Sequence, residues 1–172
     1  VIVGNGDIAN TLINYGLDRD EVTFFASGVS NSKETSRAEF MREYELLAEY
    51  SKCGLHLVYF SSLSIYYSDS DYAAHKRMME YEVQRLFKSF SIFRIGNISW
   101  GNNPNTIINY FKEEHAAGRT PFLRDEYRHV ISQPEFIYWI KKINLNARDF
   151  INIPGEFIHV YEIWRRVQDG KY

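Results

Sequence analysis

Cysteine is almost absent from this chain of 172 residues; Cys53 is the only one. That excludes a disulfide framework and a thiolate metal cage. The five histidines, His56, His75, His115, His129 and His159, are scattered with no pair at ligand spacing, so no metal site is expected. An excess of one charge is lacking too. Lys and Arg number 20 against 22 Asp and Glu, for a net charge of -2, which provides no basic field for nucleic acid. The charge clusters are short and of mixed sign, as on solvated helix faces. No run approaches the ~18 apolar residues of a membrane span, and no charged-then-apolar leader is present. A reducing, cytoplasmic setting is the expectation. Internal repeats and low-complexity linkers are missing as well.

What is present is apolar: 45% of the residues are hydrophobic and 16% aromatic, enough for a sizeable core in one domain spanning 1–172. Val1-Ile2-Val3 reads as the end of a buried strand that is expected to continue upstream. The turn Gly4-Asn5-Gly6-Asp7 and an apolar-periodic segment over 8–17 follow. Further strands are predicted at 22–26, 56–60 and 91–95, and amphipathic helices over 33–52 and 72–88. In the first of these helices Phe40, Met41, Tyr44, Leu47 and Ala48 form the apolar face, with Arg37, Glu43, Glu45 and Glu49 placed elsewhere. Helices are also expected over 106–118, 134–143 and 156–167, with an extended piece at 121–123. Near-continuous apolar strands alternating with long helices imply a parallel sheet covered on both faces, an α/β Rossmann-like fold.

Two constellations carry chemistry. Gly4-x-Gly6-x-x-Ala9 lies between a strand and a helix, the context in which Gly4 permits a tight turn, Gly6 lets a pyrophosphate approach the backbone, and Ala9 lets helix pack on sheet. Such βα turns need glycine in any case, so this pattern alone has a purely structural reading. The second is Ser61-Ser62 at the end of a strand, followed by Tyr72-Ala73-Ala74-His75-Lys76. At i and i+4 the phenol and the ammonium share one helix face, where the ammonium favours the ionised phenol. A Ser- and Tyr-rich loop beside an exposed lysine would give the same pattern in a chain with 13 tyrosines.

Taken in order, these motifs together with Phe25-Ala26-Ser27-Gly28 and Phe93-Arg94-Ile95-Gly96-Asn97 resemble the extended short-chain dehydrogenase/reductases, the NAD-dependent nucleotide-sugar epimerases and dehydratases. The resemblance implies Tyr72 as catalytic acid/base, Lys76 as the residue that lowers its pKa and holds the nicotinamide ribose, and Ser62, rather than Ser61, as the substrate-orienting serine. It implies that Gly4, Gly6, Ala9, Ser27 and Gly28 contact an NAD or NADP cofactor, and that Asn97 and Arg128 contact a nucleotide-sugar. It further implies a homodimer through the helices at 35–52 and 72–88, with 119–172 as a small extension on the substrate side. One departure stands out. About four residues separate the first helix from the strand at 22, where the family has two more strands and a helix, so the acidic residue that binds the adenosine ribose has no counterpart. The first strand is then expected at the border of a four- or five-stranded sheet. A non-catalytic relative that has lost dinucleotide binding, and serves as a binding or interaction module, is the alternative reading.

Overall fold

A computed structural model describes all residues 1–172. Five parallel strands make the main sheet, in the order β1 (Ile2–Val3), β2 (Val22–Phe25), β3 (His56–Ser62), β4 (Phe90–Ile95) and then β7 (Arg148–Ile153). The strand β1 lies at the border, because helix α1 (Asp7–Asn14) leads through a short turn directly into β2. No helix of the chain is long and apolar enough to cross a membrane.

Alternation along the central strands sorts side chains onto two faces. Phe24, Val58, Phe60 and Phe93 join Leu12 of α1 and Phe136 and Ile140 of α5 (Gln133–Ile140) on one side. Phe25, Leu57, Tyr59 and Ile92 join Leu47 of α2 (Arg37–Tyr50) and Met79 and Val83 of α3 (Asp71–Leu86) on the other. Burial on both faces is why these strands read as continuous apolar runs. A third cluster packs α4 (Ile107–Ala116) and α6 (Val160–Gln168) against a small second sheet, β5 (Asn97–Ile98), β6 (Tyr127–Ile131) and β8 (Glu156–His159). Residues 119–172 thus give β7 to the main sheet and β6 and β8 to the second one.

The carboxy-terminal third departs from the sequence expectations. Residues 156–159 are a strand, not the start of a helix, because Glu156-Phe157-Ile158-His159 pairs antiparallel with β6 and places Ile158 inward. The helix begins at Val160, where Ile163, Trp164 and Val167 complete its buried stripe. The strands β6 and β7 were not anticipated, and residues 121–123 pair with no strand. In β7 the charged Arg148 and Asp149 mask the pattern, as is common for a sheet edge.

Gly155 joins β7 to β8 with φ +62°, and a Cβ there would lie 2.2 Å from the carbonyl oxygen of Val130. Gly155→Ala is therefore expected to cost about 2–4 kcal/mol in urea unfolding, through strain plus displacement of β6. Gly170→Ala, at φ +67° but facing open space, tests backbone strain alone and is expected to cost about 1–2 kcal/mol.

Candidate functional site

The carboxyl ends of β1 to β4 open onto a cavity of about 800 Å³, the crevice where open parallel sheets hold ligands. Helix α3 supplies one wall. Its start is fixed by Ser70, whose hydroxyl accepts from the Ala73 N–H at 3.2 Å, with Asp71 in the first turn. Tyr72 and Lys76 then share one face of the helix, together with Met79 and Glu80. Alternation in β3 separates the two serines. Ser61 turns toward α3 and donates to Glu80 Oε1 at 2.6 Å, in a buried contact that Arg94 shares from β4 at 2.6–3.2 Å. Ser62, on the opposite face of the strand, is half-buried and keeps to the cavity.

Gly6, Ser27, Gly28, Ser62, Tyr72, Lys76, Asn97 and Arg128 all line this one cavity. Gly4 and Ala9 do not line it. Gly4 has φ +120°, and a Cβ on it would stand 2.4 Å from the Ala26 carbonyl oxygen, so the turn closes against the end of β2 only with glycine. Ala9 is fully buried on the inward face of α1. Asn97 donates to the His129 carbonyl at 3.0 Å, and Arg128 pairs with Glu126 at the rim.

Several residues of the site were not anticipated from sequence. Glu43 was placed on the polar face of α2, yet it is completely buried. It lies three residues after Phe40 and four before Leu47, within the inward stripe. Its Oε1 accepts from the Tyr59 hydroxyl at 2.6 Å and from Lys76 Nζ at 3.0 Å. Its Oε2 accepts from the Val29 N–H at 2.7 Å and from His75 Nε2 at 2.9 Å. Lys76 Nζ also donates to the Tyr59 hydroxyl at 3.1 Å. The signal that could have located Glu43 is a carboxylate inside an apolar helical stripe, with His and Lys adjacent on the next helix. Arg42, one residue earlier, grips the Ser27 carbonyl at 3.2 Å through both terminal nitrogens. Asp7 accepts the backbone N–H groups of Asn102 and Asn103, each at 2.9 Å, and ties that loop across the glycine turn.

These contacts set the electrostatics. Burial pushes the Glu43 carboxyl up, but the Lys76 ammonium and the hydrogen bonds from His75, Tyr59 and Val29 overcome it and hold the group far below the ordinary carboxylate range. Tyr72 moves the other way. Burial of its phenol raises it, Lys76 lowers it, Glu43 raises it again and Ser62 lowers it, leaving it above an ordinary tyrosine. Lys76 thus acts in the expected direction, but burial and the carboxylate beside it prevail.

The residues fit one half of an NAD(P) molecule. An ammonium has three donors, and two are committed to Glu43 and Tyr59, leaving one for the cavity that Lys76 helps to line. Gly28 keeps the approach open, since a Cβ there would lie 2.7 Å from Lys76 Nζ. The remaining Lys76 N–H, the Tyr72 hydroxyl and the open approach at Gly28 match the hydroxyls of a ribose in hydrogen-bonding character. After α1 the chain turns through Asp18 and Asp20 directly into β2, so no added strand ends in an acidic residue that could hold the adenosine ribose.

No family model matches the sequence, and neither does any curated protein. Solved structures do. The enzyme WbmG of Bordetella bronchiseptica in complex with NAD superposes with a TM-score of 0.69 at 17% identity, over 96% of this chain and 60% of that one. The UDP-glucose 4-epimerase of Thermus thermophilus in complex with NAD gives 0.70 at 16% identity, over 95% and 66%. The dTDP-glucose 4,6-dehydratase of Bacillus anthracis in complex with NAD gives 0.64 at 16%, over 95% and 60%. This chain has the nucleotide-sugar epimerase and dehydratase fold. It spans about three fifths of the length of WbmG and of the dehydratase.

The buried pair makes stability depend on pH in a defined sense. Because the folded pKa of Glu43 lies below the ordinary value of 4.5, its contribution is complete above that value and is lost as pH falls through the folded pKa. Unfolding free energy is expected to hold steady from pH 7 to about 5.5 and to drop below about 4.5, with a smaller drop in Glu43→Gln. At pH 7, Glu43→Gln and Lys76→Met should each cost about 3–5 kcal/mol, and the double variant less than their sum. Urea unfolding of the four proteins measures both effects; strict additivity would contradict the pairing.

Proposed function

We propose that this chain is an NAD(P)-dependent oxidoreductase domain of the epimerase and dehydratase type, acting on a nucleotide-sugar or a related alcohol. The observation that carries this is the gathering of Ser62, Tyr72 and Lys76 with Gly6, Ser27 and Gly28 around one cavity at the carboxyl ends of the parallel strands. The ligands in the structures of the neighbours support it: NAD in all three, and UDP together with NAD in a second WbmG complex.

Each residue has a role in this proposal. Ser62 holds the reacting oxygen of the sugar. Tyr72 gives a proton to that oxygen or takes one from it. The free N–H of Lys76 holds the ribose hydroxyls, while the glycine turn and the Ser27–Gly28 segment admit the phosphates. Bound NAD(P) would supply hydride acceptance and donation. Asn97 and Arg128, on the far wall, hold the nucleotide-sugar, so that 119–172 serves the substrate side of a single unit. The lone Cys53, which is exposed, suits a reducing cytoplasm. A second copy would dock on α2 and α3, where Met41, Met78 and Tyr81 are exposed.

A second reading rests on its own observation. Leu17 is followed within five residues by Val22 of β2, so the adenosine side is missing inside the chain, as expected of a non-catalytic relative that has lost dinucleotide binding and serves as a binding or interaction module.

Fluorescence titration with NADH and NADPH separates the two. Binding of either is expected; no binding at about 1 mM favours the second reading. With a sugar substrate, Tyr72→Phe should lower turnover by about 10²–10⁴-fold while leaving cofactor affinity unchanged. Sedimentation should give a dimer, and a monomer at every concentration contradicts the docking of α2 and α3.

A further inference from the structure

The buried carboxylate of Glu43 has no role in proton transfer as proposed above, which uses Ser62, Tyr72 and Lys76. Its setting is nonetheless unlike that of an incidental ion pair. Both oxygens accept two hydrogen bonds each, from Tyr59 and Lys76 on one and from Val29 and His75 on the other, so its lone-pair sites are filled and its position is fixed. Three elements meet on it: α2 carries it, α3 supplies His75 and Lys76, and β3 supplies Tyr59. The arrangement is costly. The Nδ1 atom of His75 is buried with no partner, and the ring stacks on Phe40 at 4.4 Å. Apolar side chains filling the same space would be as stable or more so, which points to a role beyond stability.

That role follows from what lies next to the cluster. Lys76 Nζ is 5.8 Å from the centroid of the Tyr72 ring and lies close beside Gly28, where a Cβ would stand 2.7 Å from it. Tyr72 is influenced by Lys76 from its own helix, Glu43 from α2, Ser62 from the end of β3 and Tyr67 from the loop between β3 and α3. Among these only Lys76 is cationic, and its ammonium is paired with Glu43.

We propose that Glu43 is the positioning residue of this site: with Tyr59 it fixes the Lys76 ammonium so that a single N–H is left for the cavity, and it sets a fixed carboxylate against the one cation that faces Tyr72. Tyr72 rests as a neutral phenol, set to give a proton before it takes one. Glu43 touches no ligand and acts only through Lys76 and Tyr59. The inference rests on the role proposed for Tyr72, but its test requires neither cofactor nor substrate, so absence of turnover leaves it standing.

The test is the titration of tyrosines labelled with ¹³C at Cζ, with the Tyr72 resonance assigned through Tyr72→Phe. In the wild type Tyr72 is expected to ionise above the ~10 of a free tyrosine; ionisation at or below that value overturns the proposal. In Glu43→Gln the Tyr72 ionisation constant is expected to rise by at least about tenfold, as Lys76 acts unopposed. A folded Glu43→Gln protein with an unchanged midpoint overturns it. Should that variant not fold, Glu43→Gln combined with Lys76→Met removes both charges at once. Because they oppose each other at Tyr72 in the wild type, the double variant should shift the constant by less than about tenfold, and a larger change overturns the proposal.

Discussion

One buried ion pair, Glu43 with Lys76, ties together the half of the molecule that faces the cavity. Bringing an isolated carboxylate and an ammonium out of water costs several kcal/mol for each, and their mutual attraction offsets this only when the remaining lone pairs and protons are also satisfied. Tyr59, His75 and the Val29 N–H supply that satisfaction. The consequence is geometric as much as energetic. With α2, α3 and β3 meeting on one carboxylate, the Lys76 head group has one place to be, and Gly28 must lack a side chain to leave room for it. The position of the Lys76 ammonium is therefore set by Glu43 and Tyr59, which do not line the cavity.

The second constraint is the short connection from α1 to β2. It puts β1 at the sheet border and leaves the cavity bounded by the glycine turn on one side and by β5 and β6 on the other. Asp7 closes part of that boundary by anchoring the loop at Asn102 and Asn103. A ligand that fills this space meets hydroxyl and amide groups around Ser62 and Tyr72 but no extended nucleoside groove beyond α1. The chain shares the fold of the NAD-bound neighbours over about three fifths to two thirds of their length, and at its own sheet border α1 turns directly into β2.

Sequence patterns revealed the parts of the structure whose physics is local or symmetrical. The strands β2, β3 and β4 are buried on both faces and so appear as apolar runs, and the position of Ser62 at the end of β3 and of Tyr72 in the first turn of α3 followed directly. What escaped was settled by distant partners. The edge strand β7 carries Arg148 and Asp149, and its pairing with β4 spans more than fifty residues of chain. The strand β8 is defined by β6, without which Glu156 to His159 has no reason to be extended. Glu43 escaped for the same reason: a glutamate in a helix looks solvated until Lys76, His75 and Tyr59 are brought to it. Its omission also explains why spacing alone suggested an easily ionised Tyr72, when burial and Glu43 hold that phenol above the usual range.

The central claim is that the cavity holds the nicotinamide half of a dinucleotide beside Ser62 and Tyr72 while offering nothing to the adenosine half. Calorimetric titration of the protein with nicotinamide mononucleotide and, separately, with NAD tests it directly. Without adenosine contacts the two ligands should bind with dissociation constants within about tenfold of each other. NAD binding more than about a hundredfold more tightly, a difference of about 2.7 kcal/mol, would contradict the account, as would NAD binding with no detectable binding of the mononucleotide.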